Sequence, residues 1–365
     1  MPFLMLLGHK ADVIVCNLLR TVSWQTMDLS FDQIAHYRGK TMTRLKNLAA
    51  VAALILPGLV MQDSAVAQNY PAKTVRVLVP FATGSATDTL GRLVLQEFQA
   101  TIGGTYIAEN KPGANGMIAA EEVARAAPDG YTLFLTSNST QHVNPGLYKN
   151  LRYDPRKDFT PIAQLMRSYY ALIVNNNVPA KSVAELIAIG KADPKRLSYA
   201  MFNGMSLITA ELFKVQAGIE LQQVLYKASA TAYIDLQRGD IPMMFADSLN
   251  SIPLINAGKV RALAVSGEKR ADLLPNVPTM QEAGFPGFVV EGWVGLLGPA
   301  RMDPNIVKKL NDTIVNAMNN KGLADRIKGM GFMPVISTAQ QFSEFHDAES
   351  IRWAAYMKAA KIEPQ

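Results

Sequence analysis

Among 365 residues there is one cysteine, Cys16, and only four histidines. So few thiols build no disulfide framework, and a product that begins beyond Cys16 has no thiol chemistry at all. Downstream of residue 67 only His142 and His346 remain, too few and too far apart in sequence for a His-rich metal centre. No run of Lys or Arg stands out, and a formal net charge of +6 describes a mildly basic solute, so nucleic acid is not an expected partner. Beyond the N-terminal region no apolar stretch approaches the roughly 20 residues that span a bilayer. The G-x-S-x-G elbow, the G-x-x-x-x-G-K-[ST] phosphate loop and the H-E-x-x-H zinc helix are all missing. Neither a cofactor nor a metal is expected, and His142 has no neighbouring nucleophile to serve as a base.

What is present starts with residues 42–68, MTRLKNLAAVAALILPGLVMQDSAVAQ. Arg44 and Lys46 precede an apolar run from Leu48 to Val60 that contains Pro57, and Ala65-Val66-Ala67 places small residues at the −3 and −1 positions of a cleavage site. This is the layout of a secretory signal peptide, with cleavage expected after Ala67. Residues 1–41 are then not part of the true precursor, whose start is expected at Met42. Removing residues 1–67 takes six basic and four acidic residues from the 36 and 30 of the whole chain, leaving a net charge of +4. The mature product is expected in the periplasm, freely diffusing and monomeric, since no cysteine stands at the cleavage site to carry a lipid.

From Lys73 onward short β-branched runs alternate with amphipathic segments, the pattern of βα units feeding a largely parallel sheet. Strands are expected at 74–79, 106–109, 131–136, 172–174, 197–200, 221–225, 243–246, 260–265 and 289–297, with helices between them and at 304–319, 321–330 and 339–361. Residues 137–161, rich in Asn, Pro and Asp, read as irregular loop and short helix crossing the surface towards a second lobe. The expected division is 68–170 for the first lobe, 171–292 for the second and 293–365 for a return to the first, with a ligand cleft outside the carboxyl ends of the strands.

Two strand-to-helix turns carry the candidate chemistry. In Pro80-Phe81-Ala82-Thr83-Gly84-Ser85-Ala86-Thr87-Asp88 the turn delivers a helix N-terminus, whose free N–H groups and positive dipole end suit a carboxylate, and Gly84 allows close backbone approach. Ser85 can cap the helix or donate to a ligand, and Asp88, three residues on, is better suited to organise the loop than to touch an anion. A second such turn runs through Phe202-Asn203-Gly204-Met205-Ser206. Two N-termini facing each other would grip an anion from both lobes, and plain turn chemistry accounts for the same residues.

In order along the chain, VPFATGSATD (79–88), ENKPGANG (109–116), APDGYTL (127–133), YDPRKDFTPIA (153–163), PAKSVAELIA (179–188), AGKVRALAVSGEKR (257–270) and LPNVPTMQEAGFPGF (274–288), followed by the segment containing Trp293, resemble the substrate-binding proteins of tripartite tricarboxylate transporters, the Bug-type receptors. The resemblance spans residues 70–362. It implies a two-lobed α/β fold of the type II periplasmic-binding-protein class, with carboxylates held between the two turns, partly through water. It places Phe81, Thr83, Gly84 and Ser85 at the ligand with Asp88 organising the turn. Ser85 stands where the family usually has a second glycine, and Phe202, Asn203, Gly204, Met205 and Ser206 form a shorter second turn than the usual Gly-x-Gly-Thr. Tyr226 lies in LYKA in place of Pro-Tyr-Lys-Gly, and Asp247 sits where an acidic residue commonly borders the cleft. Phe202 and Met205 point to a ligand with a carboxylate and an apolar or aromatic body. The implied partners are that small carboxylate and two integral membrane transporter subunits, or a sensor protein in their place. An exported α/β enzyme acting on a carboxylate is the alternative.

Overall fold

The computed structural model describes residues 70–320 and 322–364, so the signal segment and residues 1–41 lie outside the described residues. The described residues belong to one unit that runs from Ala67 to the C-terminus. Its framework is a single ten-stranded sheet in the order β2-β1-β3-β9-β4-β7-β5-β6, with β8 and β10 added against β4. The strands are β1 (Val75–Val79), β2 (Tyr106–Asn110), β3 (Thr132–Ser137), β4 (Phe159–Asn175), β5 (Ser198–Met201), β6 (Gln222–Leu225), β7 (Met243–Asp247), β8 (Val260–Val265), β9 (Glu291–Pro299) and β10 (Met333–Pro334). Ten α-helices accompany them: α1 (Ala86–Thr101), α2 (Met117–Ala124), α3 (Asn144–Leu147), α4 (Val183–Ala192), α5 (Gly204–Ala217), α6 (Ser229–Arg238), α7 (Ser248–Asn256), α8 (Pro304–Asn319), α9 (Gly322–Gly329) and α10 (Ala339–Ala359).

Strand β4 is the spine. Its first part pairs with β9 as far as Tyr169↔Glu291, and its second part pairs with β7 from Tyr170↔Asp247 and with β8 from Ala171↔Val265. One 17-residue strand therefore belongs to both halves of the sheet and changes partners between Tyr169 and Tyr170. Each half is covered on both faces, because its central strands β3, β4, β7 and β9 are buried almost end to end and need helices on either side. In the first half Val77, Leu90, Val94, Leu296 and Leu310 pack on one face, and Leu78, Ala120, Phe134 and Phe342 on the other. The second half places Leu172, Phe213, Phe245 and Trp353 on one face and Ile173, Leu236, Met244 and Val265 on the other. Helix α10 takes part in both, with Phe342 near its start in a first-half core and Trp353 and Met357 near its end in a second-half core.

Two expectations are corrected. The sheet is mixed rather than largely parallel: β1–β2, β1–β3, β5–β6 and β5–β7 are parallel, while every pairing of β4 and β9 is antiparallel. The first part of β4 escapes a periodicity reading because its register against β9 shifts between Pro161 and Ala163 and again between Gln164 and Met166, which breaks the alternation that marks a strand. The start of the segment after β3 is not on the surface, although the short helix expected in it is present as α3 and Lys149, Asn150, Arg152, Arg156 and Lys157 beyond it are exposed. Ser137 to Asn144 are all buried, and Ser139–Val143 form a π-turn closed by the Asn144 N–H on the Ser139 carbonyl.

Gly295 in β9 shows how tightly α10 is seated, since a β-carbon there would overlap Phe342 Cζ and come within 3.1 Å of the Ala163 carbonyl oxygen. Gly295→Val is expected to cost about 2–3 kcal/mol of overpacking. Gly329→Ala, where a β-carbon meets no atom within 4 Å, is expected to be neutral or slightly stabilising. Urea midpoints of the two variants check the contrast.

Candidate functional site

The turn after β1 is set by one buried carboxylate. Ser85 is the N-cap of α1 and accepts the Asp88 N–H at 3.3 Å. Asp88, 1% exposed, accepts the Gly84 N–H at 2.9 Å, the Asn110 side-chain amide at 2.9 Å and the Arg92 guanidinium at 3.0–3.1 Å. The acid reaches one residue further back than in an ordinary capping box, across a Gly84 whose φ of +80° disfavours a side chain. Asn110, the last residue of β2, completes the brace by donating to the Phe81 carbonyl and accepting from Thr83 Oγ1. Burial works to raise the Asp88 pKa, and Arg92, the Gly84 N–H and Asn110 together outweigh it and hold the carboxyl ionised. Phe81 and Ser85 are half-buried and Thr83 and Gly84 exposed. The first-turn N–H groups of Ala86 and Thr87 are left out of this network.

The turn after β5 repeats the arrangement with different residues. Asn203 caps α5 by accepting the Ser206 N–H at 2.9 Å, while Ser206 Oγ accepts the N–H groups of Asn203 and Phe202 and donates to the Asn203 carbonyl. Ser206 is fully buried and its hydroxyl is spent on these backbone groups, so its place is inside the turn. Here too the first two helical N–H groups, of Gly204 and Met205, are outside the cap network. Asn203 Nδ2 donates to Tyr170 Oη at 2.7 Å, and Phe202 stacks on Tyr170 at 6.2 Å between ring centroids.

Asp247 ends β7 and caps α7, accepting from Asn250 N–H and Nδ2 on one oxygen and from Tyr233 Oη at 2.9 Å on the other. Burial pushes its pKa up. Tyr233 lies 6.5 Å from Phe202 between ring centroids, which connects Asp247 to the second turn. Tyr226 is half-buried, and its hydroxyl donates to Asp235 at 2.8 Å.

The two turns are joined through the buried segment after β3, which sequence reasoning had assigned to the surface. A β-carbon on Gly116 would lie 2.6 Å from Thr140 Cγ2 and 2.8 Å from Pro80 Cβ, so the first turn rests on this segment. A β-carbon on Gly204 would lie 2.9 Å from Val143 Cγ1 and 3.1 Å from Ser139 Oγ, so the N-terminus of α5 rests on it as well. Asn138 accepts the Trp293 N–H, and the missing β-carbon of Gly292 would fall 3.1 Å from both Asn138 Oδ1 and Ser168 Oγ and 3.5 Å from Met205 Sδ. Asn110, Asn138, Ser168 and Gly292 thus support the candidate site, and the sequence reading missed them. The available signal was SNSTQHVN at 137–144, eight residues without a single charge, which is unusual for a surface loop.

Behind this floor the rings of His142 and His346 lie 4.5 Å apart between centroids, tilted by 49°, with Trp293 5.4 and 6.0 Å from them. His346 Nε2 contacts Gln141 Oε1, and Ser350 Oγ, which donates to the His346 carbonyl, accepts from His142 Nδ1. Burial pulls His346 down to about 4 and His142 well below its usual value. Both rings are neutral near neutrality.

The class of molecule is a two-lobed periplasmic-binding fold: two α/β halves share one strand, and capped helix N-termini stand at the carboxyl ends of strands in each. Residues 90–362 match the model of the tripartite tricarboxylate transporter family receptor, and the chain belongs to that family. It is similar to Protein BugT of Bordetella pertussis, 31% identical over 320 residues that cover 87% of this chain and 97% of that one. Among solved structures it is similar to a protein of R. palustris with adipate (32% identity, TM-score 0.78, covering 81% of this chain and 100% of that one). It is also similar to the periplasmic binding protein BugD (31%, TM-score 0.76, 81% and 100%) and to MatC of Rhodopseudomonas palustris with bound malate (31%, TM-score 0.74, 79% and 99%). These relatives are binding proteins, and the chain is a solute-binding receptor of their kind.

Because the folded state refuses a proton at His346 until about pH 4 while the unfolded chain accepts one near 6.5, stability contributed by the neutral ring is complete above 6.5 and lost as pH falls towards 4. The loss should approach about 3 kcal/mol. Urea titrations at pH 7, 5.5 and 4.5 should show this decline, and His346→Gln should make it shallower, with buried His142 supplying what remains.

Proposed function

We propose that the protein is exported to the periplasm, captures a small carboxylate in the cleft between its lobes and delivers it to integral membrane transporter subunits. The observation that carries this reading is the pair of capped turns. The caps of α1 and α5 each consume the third-position N–H and leave the first two, at Ala86 and Thr87 in one and at Gly204 and Met205 in the other. Free N–H groups at a helix N-terminus receive an anion without needing a cationic side chain. A dicarboxylate bridging the two would gain donors from both lobes only when they close, which gives closure its driving force. Adipate and malate in the similar solved structures agree with this chemistry.

The hinge is proposed where β4 changes partners at Tyr169 and Tyr170 and where the chain re-enters β9 at Glu291, which supports lobe divisions near 170 and 292. Phe81, Thr83, Gly84 and Ser85 line the ligand from the first lobe, and Phe202, Asn203 and Gly204 from the second. Asp88, Ser206, Tyr226 and Asp247 act from behind, since their polar atoms are spent on the turns and on Asn250, Tyr233 and Asp235. Phe202, stacked on Tyr170, offers an apolar wall, which favours a carboxylate with an apolar or aromatic body over citrate. No catalytic step is part of the proposal. Among the described residues no helix is long and apolar enough to cross a membrane.

A thermal-shift screen of mono-, di- and tricarboxylates and aromatic acids should give a raised melting temperature for at least one acid with an apolar body and less for citrate. Gly204→Ala, which presses on Val143 and Ser139, should weaken the best acid at least tenfold; a screen with no shift would count against the carboxylate. N-terminal sequencing of the exported product should begin at Gln68, and of the precursor made with signal peptidase blocked, at Met42. Met1 on that precursor would refute the proposed start.

A further inference from the structure

A cavity of about 730 Å³ lies on the far side of the π-turn, between the C-terminal half of α10, the loop through Asp154–Arg156 and helix α3. A volume of this order accommodates a small organic ligand. Its floor is Gln141 and His142, and its apolar lining comes from Pro145, Ala354, Met357, Ile362 and Pro364. No residue of the two ligand turns lines it.

The mouth carries Arg156, Lys358 and Lys361 against Asp154 and Glu363. Arg156 is paired with Asp347 at 2.8 Å and Asp154 with Lys157 at 3.1 Å. Lys358, Lys361 and Glu363 enter no ion pair among the described residues, so two positive charges face one negative and the mouth keeps a net positive charge. Helix α10 ends in a Schellman motif, with the Ile362 N–H on the Met357 carbonyl and the Lys361 N–H on the Lys358 carbonyl. The left-handed position of that motif is usually glycine, because a β-carbon is strained there. This chain places Lys361 in it, at φ +55°. A lysine in the last turn complements the helix dipole from several positions; complementing the dipole does not require the one strained position. That backbone bend also folds Ile362 to Pro364 across the cavity as its outer wall.

We propose that this cavity is a second ligand site, separate from the cleft, for a small amphipathic anion: an apolar chain or ring that ends in a carboxylate. The apolar body lies against Ala354, Met357 and Ile362, and the carboxylate meets Lys358 and Lys361 at the mouth. The site does not depend on what the cleft binds.

The test is calorimetric titration of the purified full chain with octanoate, with and without saturating adipate, and with acetate and 1-octanol as probes lacking the apolar body or the charge. Octanoate should bind with adipate present, and acetate and 1-octanol should bind at least tenfold more weakly. Ala354→Trp, at an exposed position of α10, should fill the cavity and abolish octanoate binding while leaving adipate binding unchanged. Lys361→Gly should weaken octanoate several-fold and raise the melting temperature by a few degrees, because the strain is relieved. Absence of octanoate binding at millimolar concentration, full competition by adipate, or undiminished binding in Ala354→Trp would each overturn the proposal. Failure of adipate to bind would bear on the cleft alone.

Discussion

Everything in this molecule is arranged around the sharing of β4. A backbone strand is stiff along its length, and every pairing it makes fixes the partner's register. Because β4 pairs with β9 up to Tyr169 and with β7 and β8 from Tyr170 onward, the two halves of the sheet cannot be assembled independently. The change of partners brings the ends of β3 and β9 and the N-terminus of α5 to one place. Gly204 and Gly292 stand there, where a β-carbon would clash with Val143 in the first case and press on Asn138 and Ser168 in the second.

On that base the electrostatics follow from helix ends rather than from charged side chains. Each turn spends its capping residue on the third N–H of the helix and keeps the first two outside the network. The carboxylate of the first turn, Asp88, is locked to Arg92, Asn110 and the Gly84 N–H. That contact holds Gly84 in its left-handed conformation and keeps a negative charge buried where it is compensated. The second turn reaches the same outcome with a neutral pair, Asn203 and Ser206, and the nearby carboxylate, Asp247 opposite Tyr170, is buried and spent on Asn250 and Tyr233. The asymmetry is physical: a first wall braced by an acid and an arginine, and an aromatic second one.

Much of this was legible in the sequence, and the exceptions have specific causes. The βα units announced themselves by alternating β-branched runs and amphipathic segments, and helix 304–319 was placed to the residue because Ile306, Leu310 and Ile314 recur at helical spacing. Capping residues Ser85 and Asp247 lay where strand gave way to helix. The first part of β4 was invisible because two register shifts scramble its alternation, and the π-turn was misplaced because Asn and Ser suggest a loop whether or not it is buried. Contacts such as Asn110 with Phe81 and Asn138 with Trp293 depend on residues 29 and 155 positions apart. No local pattern encodes those distances.

The central claim is that an anion is held by backbone N–H groups from both lobes. The direct measurement is an amide-detected NMR titration of the isotopically labelled protein with adipate, following Ala86, Thr87, Gly204 and Met205. The account predicts that these four resonances move together with one dissociation constant, displaced in the direction of stronger hydrogen bonding. Saturable binding that leaves the four amides in place, or that moves those of one turn only, would contradict it.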